Sequence, residues 1–285
     1  MGCTGSLSIN ISFEVSEIIR SRPVIHFNTD IIDKSMCDRI LSVLKERGKA
    51  KAINIAYALG TDRRTINHYL YSDLRDIVIK DDYHYWSIKG TYPMLTQEGI
   101  YYLTDYIPKG IWEYKSEEAV EDSKLVIQLK DNDQDAIDTV KEKMAAAAEE
   151  LIDPSPDLGL IVAAVPSSKT YKNSPMLKVA AYIRDCFNGI DGEDDPELSF
   201  LDMFTRTRDV TTSHYVEMRN RPSFDEQKAS IQCNYPEFCS EDNQCLIIDD
   251  VTTTGRVMNA CKEILVENGM PEENIIMLAF AKTSR

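Results

Sequence analysis

Four histidines and seven cysteines, with no Cys-x-x-Cys pair among them, leave the chain without a zinc-binding pattern. The cysteines are Cys3, Cys37, Cys186, Cys233, Cys239, Cys245 and Cys261, and an odd number cannot all pair within one chain. Reduced thiols in a cytoplasmic setting are therefore expected. No uninterrupted apolar run approaches the roughly 20 residues that span a bilayer. No basic segment followed by an apolar one marks a secretory signal at the N-terminus, so no membrane partner is expected. The opening "MGCTGS" does fit the N-myristoylation pattern, with Cys3 available for palmitate, as a minor alternative. Basic residues are also scarce: 32 Lys and Arg stand against 47 Asp and Glu, for a net charge of −15. That balance excludes a chain coated for nonspecific nucleic-acid binding.

The average hides a contrast. From Lys34 to Lys89 the chain carries eleven Lys and Arg against seven Asp and Glu, net +4, which leaves −19 on the remainder and implies two partners rather than one. Within that segment Ile40, Leu41, Val43 and Leu44 give a helical stripe, and "KAINIAYALG" reads as a short helix closed by Gly60. A third helix starts after Thr61 or Asp62, either of which can accept its orphan amide hydrogens, and carries Ile66, Leu70 and Leu74 inward. "DIVIKDDYHYWSIKG" reads as two strands around a turn at Asp81 and Asp82. Three helices and a hairpin suggest a winged helix-turn-helix, in which the third helix is presented to nucleic acid.

With the apolar stripe buried, Arg63, Arg64, Asn67, His68 and Tyr71 share the opposite face of that helix. Guanidinium groups suit phosphate oxygens, the Asn amide can donate to a phosphate, and the Tyr71 and Trp86 rings can stack on a base or sugar. The segment resembles the Z-alpha family of winged helices, which read left-handed duplexes by shape, through "ILSVLKERGKAKAINIAYALG", "RRTINHYLYSDL" and "YWSI". The resemblance places nucleic-acid contacts on Arg63, Arg64, Asn67 and Tyr71, with Trp86 packed beside Tyr71. Prolines usual before that tryptophan are replaced by "DDYHYW", whose Asp81 and Asp82 are expected to repel a phosphate backbone. An ordinary winged helix for B-form DNA, RNA or protein contacts is the alternative.

The remainder divides into a connector and an α/β domain. Gly90 to Asp122 is aromatic and acidic and reads as a connector. After it "KLVIQL" reads as a strand, "DQDAIDTVKEKMAAAAEELI" as a helix, "GLIVAAVP" as a strand and "PMLKVAAYIRDCF" as a helix. "LSFLDMF", "CLIID" and "NIIMLAFA" read as further strands, with "RVMNACKEILVEN" as the last helix. Apolar strands alternating with helices imply a mostly parallel sheet covered on both faces, with ligands at the strands' carboxyl ends. The expected organisation is an extension over 1–33, a winged helix over 34–90, a connector over 91–122 and an α/β domain over 123–285.

One stretch, "CLIIDDVTTTGRVM", carries the chemistry. Asp249 and Asp250 end a buried strand, and Thr252, Thr253, Thr254 and Gly255 turn into a helix whose first amides can hold an anion. Vicinal sugar hydroxyls want acceptor-only partners, as ionised carboxylates are, and a 5-phosphate wants amides and hydroxyls. The combination specifies a ribose 5-phosphate. The stretch resembles the 5-phosphoribosyl 1-diphosphate (PRPP) motif of type I phosphoribosyltransferases. Its surroundings from Lys124 to Arg285 resemble the ComF branch, through "AAVPSSKTYKNSP", "RTRDVTTSHYVEMRNRPSF" and "IIMLAFAKTSR".

The resemblance implies a phosphoribosyltransferase fold, with Asp249 and Asp250 on the ribose hydroxyls and Thr252 to Gly255 on the 5-phosphate. Ser167, Ser168 and Lys169 would form the diphosphate loop, with Lys172 as a further cation. Arg206, Arg208, Thr211, Arg219 and Arg221 partly match the arginine-rich segment. Magnesium would be held through the substrate and the two acids rather than by a protein cage. Two departures bear on turnover: Thr253 stands where many relatives have an acid near the incoming base, and Val257 where they close the phosphate loop with Thr. His214 is left unassigned. The expected function is a PRPP- or ribose-5-phosphate-nucleotide-binding phosphoribosyltransferase-like protein joined to a nucleic-acid-binding head; a bacterial defence or toxin-like effector, such as a retron-associated one, is one setting for it. The alternative is a non-catalytic PRPP-sensing transcriptional regulator. A homo-oligomer or larger nucleoprotein complex is compatible with either.

Overall fold

The computed structural model describes residues 35–152, 158–170, 174–188, 202–211 and 222–284. The first part contains α1 (Met36–Arg47), β1 (Lys49–Lys51), α2 (Ala52–Leu59), α3 (Arg63–Tyr71), β2 (Val78–Lys80) and β3 (Tyr85–Ile88). Ile40, Leu44, Ile55, Ile66 and Leu70 meet in one buried cluster, as the helical stripes require, and Leu74 joins it from the turn after α3, which ends at Tyr71 rather than carrying Leu74 as expected. Gly60 adopts the left-handed conformation (φ 65°) that closes α2, donating its N–H to the carbonyls of Ala56 and Tyr57. Of the two candidate caps for α3, Asp62 takes the role: it accepts from Thr65 N at 3.0 Å. The strands form a three-stranded antiparallel sheet in the order β1-β3-β2.

The turn between β2 and β3 differs from expectation. Asp81 is buried, and its Oδ1 accepts from Tyr83 N at 3.0 Å and Tyr85 N at 2.8 Å. Asp82 accepts from Gln97 N and from Lys282 Nζ, each at 3.0 Å. Both acids are satisfied internally, so neither stands as a bare charge toward an approaching phosphate.

The second part contains β4 (Met94–Leu95), β5 (Tyr101–Tyr106), α4 (Glu117–Lys130), α5 (Gln134–Glu149), β6 (Gly159–Ala164) and α6 (Met176–Asn188). It continues with β7 (Phe204–Arg206), α7 (Phe224–Lys228), β8 (Ile231–Cys233), β9 (Asn243–Thr252), α8 (Arg256–Glu267) and β10 (Ile275–Thr283). The main sheet has the order β4-β5-β10-β9-β6 and is parallel except for β4 at its edge. Alternate residues feed two cores. Leu246, Ile248, Leu278 and Phe280 pack with α4, α5 and α6, while Cys245, Ile247, Met277 and Ala279 pack with α8. The sheet is thus flanked by helices on both faces, as read from the sequence. No helix among the described residues is long and apolar enough to cross a membrane.

Two readings require correction. The expected connector supplies β4 and β5, and β5 lies inside the main sheet beside β10. "KLVIQL", read as a strand, lies inside α4, which Ser116 caps by accepting from Ala119 N at 3.2 Å. The short apolar run was ambiguous, and burial of Ala119, Val120, Ser123, Val126 and Leu129 follows the helical spacing instead. Only the Phe204–Arg206 end of the expected strand "LSFLDMF" is described; 198–201 lie outside the described residues, as do Cys3, Lys172, His214, Arg219 and Arg221.

Residues Met36–Arg285 form one compact unit. Tyr102 OH donates to the Lys80 carbonyl at 3.2 Å, and Ser116 Oγ donates to Asp76 at 2.9 Å. Ile79 of β2 packs on Met94 and Tyr102 of the main sheet. The head is therefore bonded to the sheet rather than strung from it.

Candidate functional site

All four parallel strands deliver their carboxyl ends to one cavity of about 860 Å³, the position expected for ligands in such sheets. Tyr106 comes from β5, Thr283 from β10, Asp249 and Asp250 from β9, and Val165 follows β6. Ser167, Ser168, Lys169 and Arg206 line the same space, so most residues singled out in the sequence converge. Thr252, Thr254 and Gly255 line a smaller recess of about 70 Å³ that shares Asp249 and Thr253 with the main cavity. Arg208 is exposed and lines neither among the described residues.

The β9–α8 turn is shaped for an anion. Gly255 sits in the left-handed region (φ 67°) as the residue before α8, and no side chain caps that helix end. Its first amides and dipole end face the recess. A Cβ on Gly255 would lie 2.4 Å from Ile100 Cδ1 and 3.0 Å from Asn259 Nδ2. Gly255→Ala is expected to cost roughly 1–3 kcal/mol and to lower the melting temperature by several degrees, read by thermal unfolding. An unchanged melting temperature would show that the turn is not held as described. Thr253 Oγ1 lies 2.8 Å from Thr283 Oγ1, so the turn is also tied to the end of β10.

The carboxylates differ from each other. Burial and the neighbouring Asp250 charge push the Asp249 carboxyl well above the usual carboxylate range, against the Asp250 N–H, Lys130 and Arg206, which pull it down. The Asp250 N–H donates to Asp249 Oδ1 at 2.9 Å. Asp250 pairs with Lys130 Nζ at 3.5 Å, and that ammonium also lies 5.8 Å from the Tyr106 ring centroid. Lys130 was not singled out in the sequence, since it follows directly on a segment read as a strand. Among the described residues no group of three His, Cys, Asp or Glu side chains could hold a metal ion.

Opposite the acids, the Ser167–Thr170 loop is built by its neighbours. Arg206 is buried, which lowers its guanidinium pKa from the usual value, yet arginine stays charged. It donates to the Ser167 carbonyl (3.1 Å), the Pro166 carbonyl (3.4 Å), Gln227 Oε1 (3.0 Å) and Ser230 Oγ (2.6 Å). Most of its donors are spent on protein, so Arg206 holds the loop rather than reaching freely for a ligand. Lys169 pairs with Asp209 at 3.0 Å, and the same carboxylate accepts from Thr170 N at 2.9 Å. The Ser168 carbonyl accepts from Val210 N at 3.0 Å.

On the head, Arg63, Arg64, His68 and Tyr71 are exposed and Asn67 is half-buried, so α3 presents the expected face. Tyr71 stands edge-on to Trp86 with centroids 4.9 Å apart. Trp86 is only 5% exposed, so it supports Tyr71 and cannot itself stack on a base. Lys80, also not singled out in the sequence, donates to Tyr71 OH at 2.8 Å and lies over both rings. No protein-family model matches this chain, and no curated protein matches it.

Proposed function

We propose that the cavity binds PRPP or a closely related ribose 5-phosphate ester and that the head, read as a winged helix, binds nucleic acid. The observation that carries the first part is the convergence of two acceptor carboxylates, a hydroxyl-rich helix-start turn and the Ser167–Lys169 loop around one cavity of about 860 Å³. The recess lined by Thr252, Thr254 and Gly255 suits a 5-phosphate, and Asp249 with Asp250 suits the ribose hydroxyls. The Ser167–Lys169 loop lines the same cavity, and its hydroxyls and ammonium suit a diphosphate. Magnesium fits this donor set as an ion shared between two carboxylates and ligand oxygens, and when bound it would neutralise diphosphate charge.

In a phosphoribosyl transfer the C1–oxygen bond breaks, diphosphate leaves with the electron pair, and a nucleophile bonds C1 while losing a proton. Lys169 would offset the charge on the leaving group after exchanging Asp209 for it. Thr253 offers no carboxylate to take the nucleophile's proton. That feature, with the head bonded directly to the sheet, favours the second reading, a sensor that binds PRPP without consuming it. Measuring diphosphate release from PRPP, against a panel of bases and nucleic acid, separates the two: release lost on substitution of Asp249 and Asp250 gives the enzyme, and binding without release gives the sensor.

The head has its own test. The full chain should bind duplexes with an affinity that falls as salt rises, and Arg63→Ala or Arg64→Ala should each reduce the salt slope by about 1. Alternating CG duplex should shift its circular dichroism toward the left-handed form, and Tyr71→Ala should abolish the shift. Binding without spectral inversion leaves an ordinary winged-helix contact and removes the Z-form reading.

A further inference from the structure

Two chains of contacts run from the turn of the head to the phosphate-binding turn, and both begin at Asp82. The first passes through β10. Lys282 Nζ bonds Asp82 at 3.0 Å, Lys282 stands in register with Thr252 of β9, and the next residue, Thr283, meets the Thr253 hydroxyl at 2.8 Å. The second passes through the turn between β4 and β5. Asp82 accepts from Gln97 N at 3.0 Å, and three residues on, Ile100 packs so closely on Gly255 that a Cβ there would lie 2.4 Å from it. Ile100 N is itself held by Thr96 Oγ1 at 3.1 Å, so the intervening turn is closed on itself.

From these contacts we infer that Asp82 and Lys282 couple occupancy of the phosphate-binding turn to nucleic-acid binding by the head, in the sense that each ligand strengthens the other. The inference rests on the ligand-binding reading of Thr252 to Gly255 and adds how that site is regulated. Its sign follows from the hydrogen bonds. A Thr hydroxyl has one proton and two acceptor sites. When Thr253 donates to a phosphate, Thr283 must donate to Thr253, which fixes the end of β10 that carries Lys282. A duplex held on the head would further restrain the turn that carries Asp82. Each event removes freedom that the other would otherwise have to remove, which is positive coupling without a large change of shape.

The test uses the full chain, PRPP with magnesium and a CG duplex. Coupling is reciprocal and of order 5–150-fold in typical systems, so about tenfold tighter duplex binding at saturating PRPP, and the same factor for PRPP at saturating duplex, is expected. Lys282→Met alone would bare the Asp82 charge on the head, so the decoupling variant is Asp82→Asn with Lys282→Met. In it each ligand alone should keep its affinity within about twofold, and the coupling factor should fall toward 1. Amide exchange gives an independent reading: PRPP should slow exchange at Tyr83 and Tyr85 in the wild type and not in the double variant. Duplex and PRPP that both bind the wild type with independent affinities overturn the coupling and leave the site reading intact. Failure of PRPP to bind at all, by calorimetry, overturns the site reading and the coupling with it.

Discussion

PRPP with magnesium should stabilise the wild-type chain by about 2.7 kcal/mol at a hundredfold excess over its dissociation constant, and Asp249→Asn with Asp250→Asn should erase nearly all of that. For a chain of this size the wild-type shift is about 4–5 °C in melting temperature. The amide keeps the size and shape of the acid but adds donors where the ribose hydroxyls need acceptors. Loss of binding can be told from loss of fold through the unliganded protein. Asp249 is held in the folded state with its pKa well above the usual carboxylate value, so the folded chain binds a proton more tightly than the unfolded one. Stability of the unliganded wild type should fall as pH rises from the ordinary carboxylate pKa through that raised value, because the ionised form is the one burial disfavours. Asp249→Asn cannot titrate there. It should therefore match or exceed the wild type in melting temperature near neutral pH while failing to respond to PRPP. A variant that is destabilised and unresponsive would instead point to a structural role for the acid.

Gain of stability with loss of binding is the behaviour of a site whose charges are placed for a ligand. Asp250→Asn should behave less cleanly, since it deprives Lys130 of its 3.5 Å partner.

The elements that were legible in the sequence are those where one physical signal acted alone. β9 and α8 could be read because an apolar run, two acids, a hydroxyl-rich turn and an amphipathic helix follow one another without a break. The helices of the head could be read because Ile66 and Leu70 are spaced for burial and Asp62 can cap. α4 was not legible from "KLVIQL", because three consecutive apolar residues fit a strand as well as a helix. The earlier pattern, Ser116 as cap followed by Ala119, Val120, Val126 and Leu129 on one face, held the answer. β5 was hidden for a different reason: its tyrosines and acid, in "YYLTDY", look like a surface segment, and only the fold buries Tyr102 against Ile79 and Met94 and Leu103 in the core with α4 and α5. Lys130 and Lys80 needed three dimensions, since each acquires its meaning from a partner distant in the sequence or across a fold element.

Arg206 shows the same limit at the site, where the residue was found but its role was not. Removing it by Arg206→Met leaves Gln227, Ser230 and the carbonyls of Pro166 and Ser167 without the donors they now use. A buried group stripped of its partner costs about 1–3 kcal/mol, and several are affected here, so a loss of about 3–5 kcal/mol is expected in thermal or urea unfolding. The effect on ligands should be selective. Asp249 and the Thr252–Gly255 turn do not depend on Arg206 for their backbone, whereas the Ser167–Lys169 loop does. Calorimetry below the melting transition should therefore show PRPP losing more affinity than ribose 5-phosphate, which lacks the diphosphate. Asp249 would also lose one of the charges that favour its ionised form, so the remaining affinity should rise with pH more steeply than in the wild type. Arg206→Lys keeps the charge but cannot span four acceptors, and should fall between the two. Equal losses for PRPP and ribose 5-phosphate would show that the loop does not hold the diphosphate, and would move that part of the ligand elsewhere in the cavity.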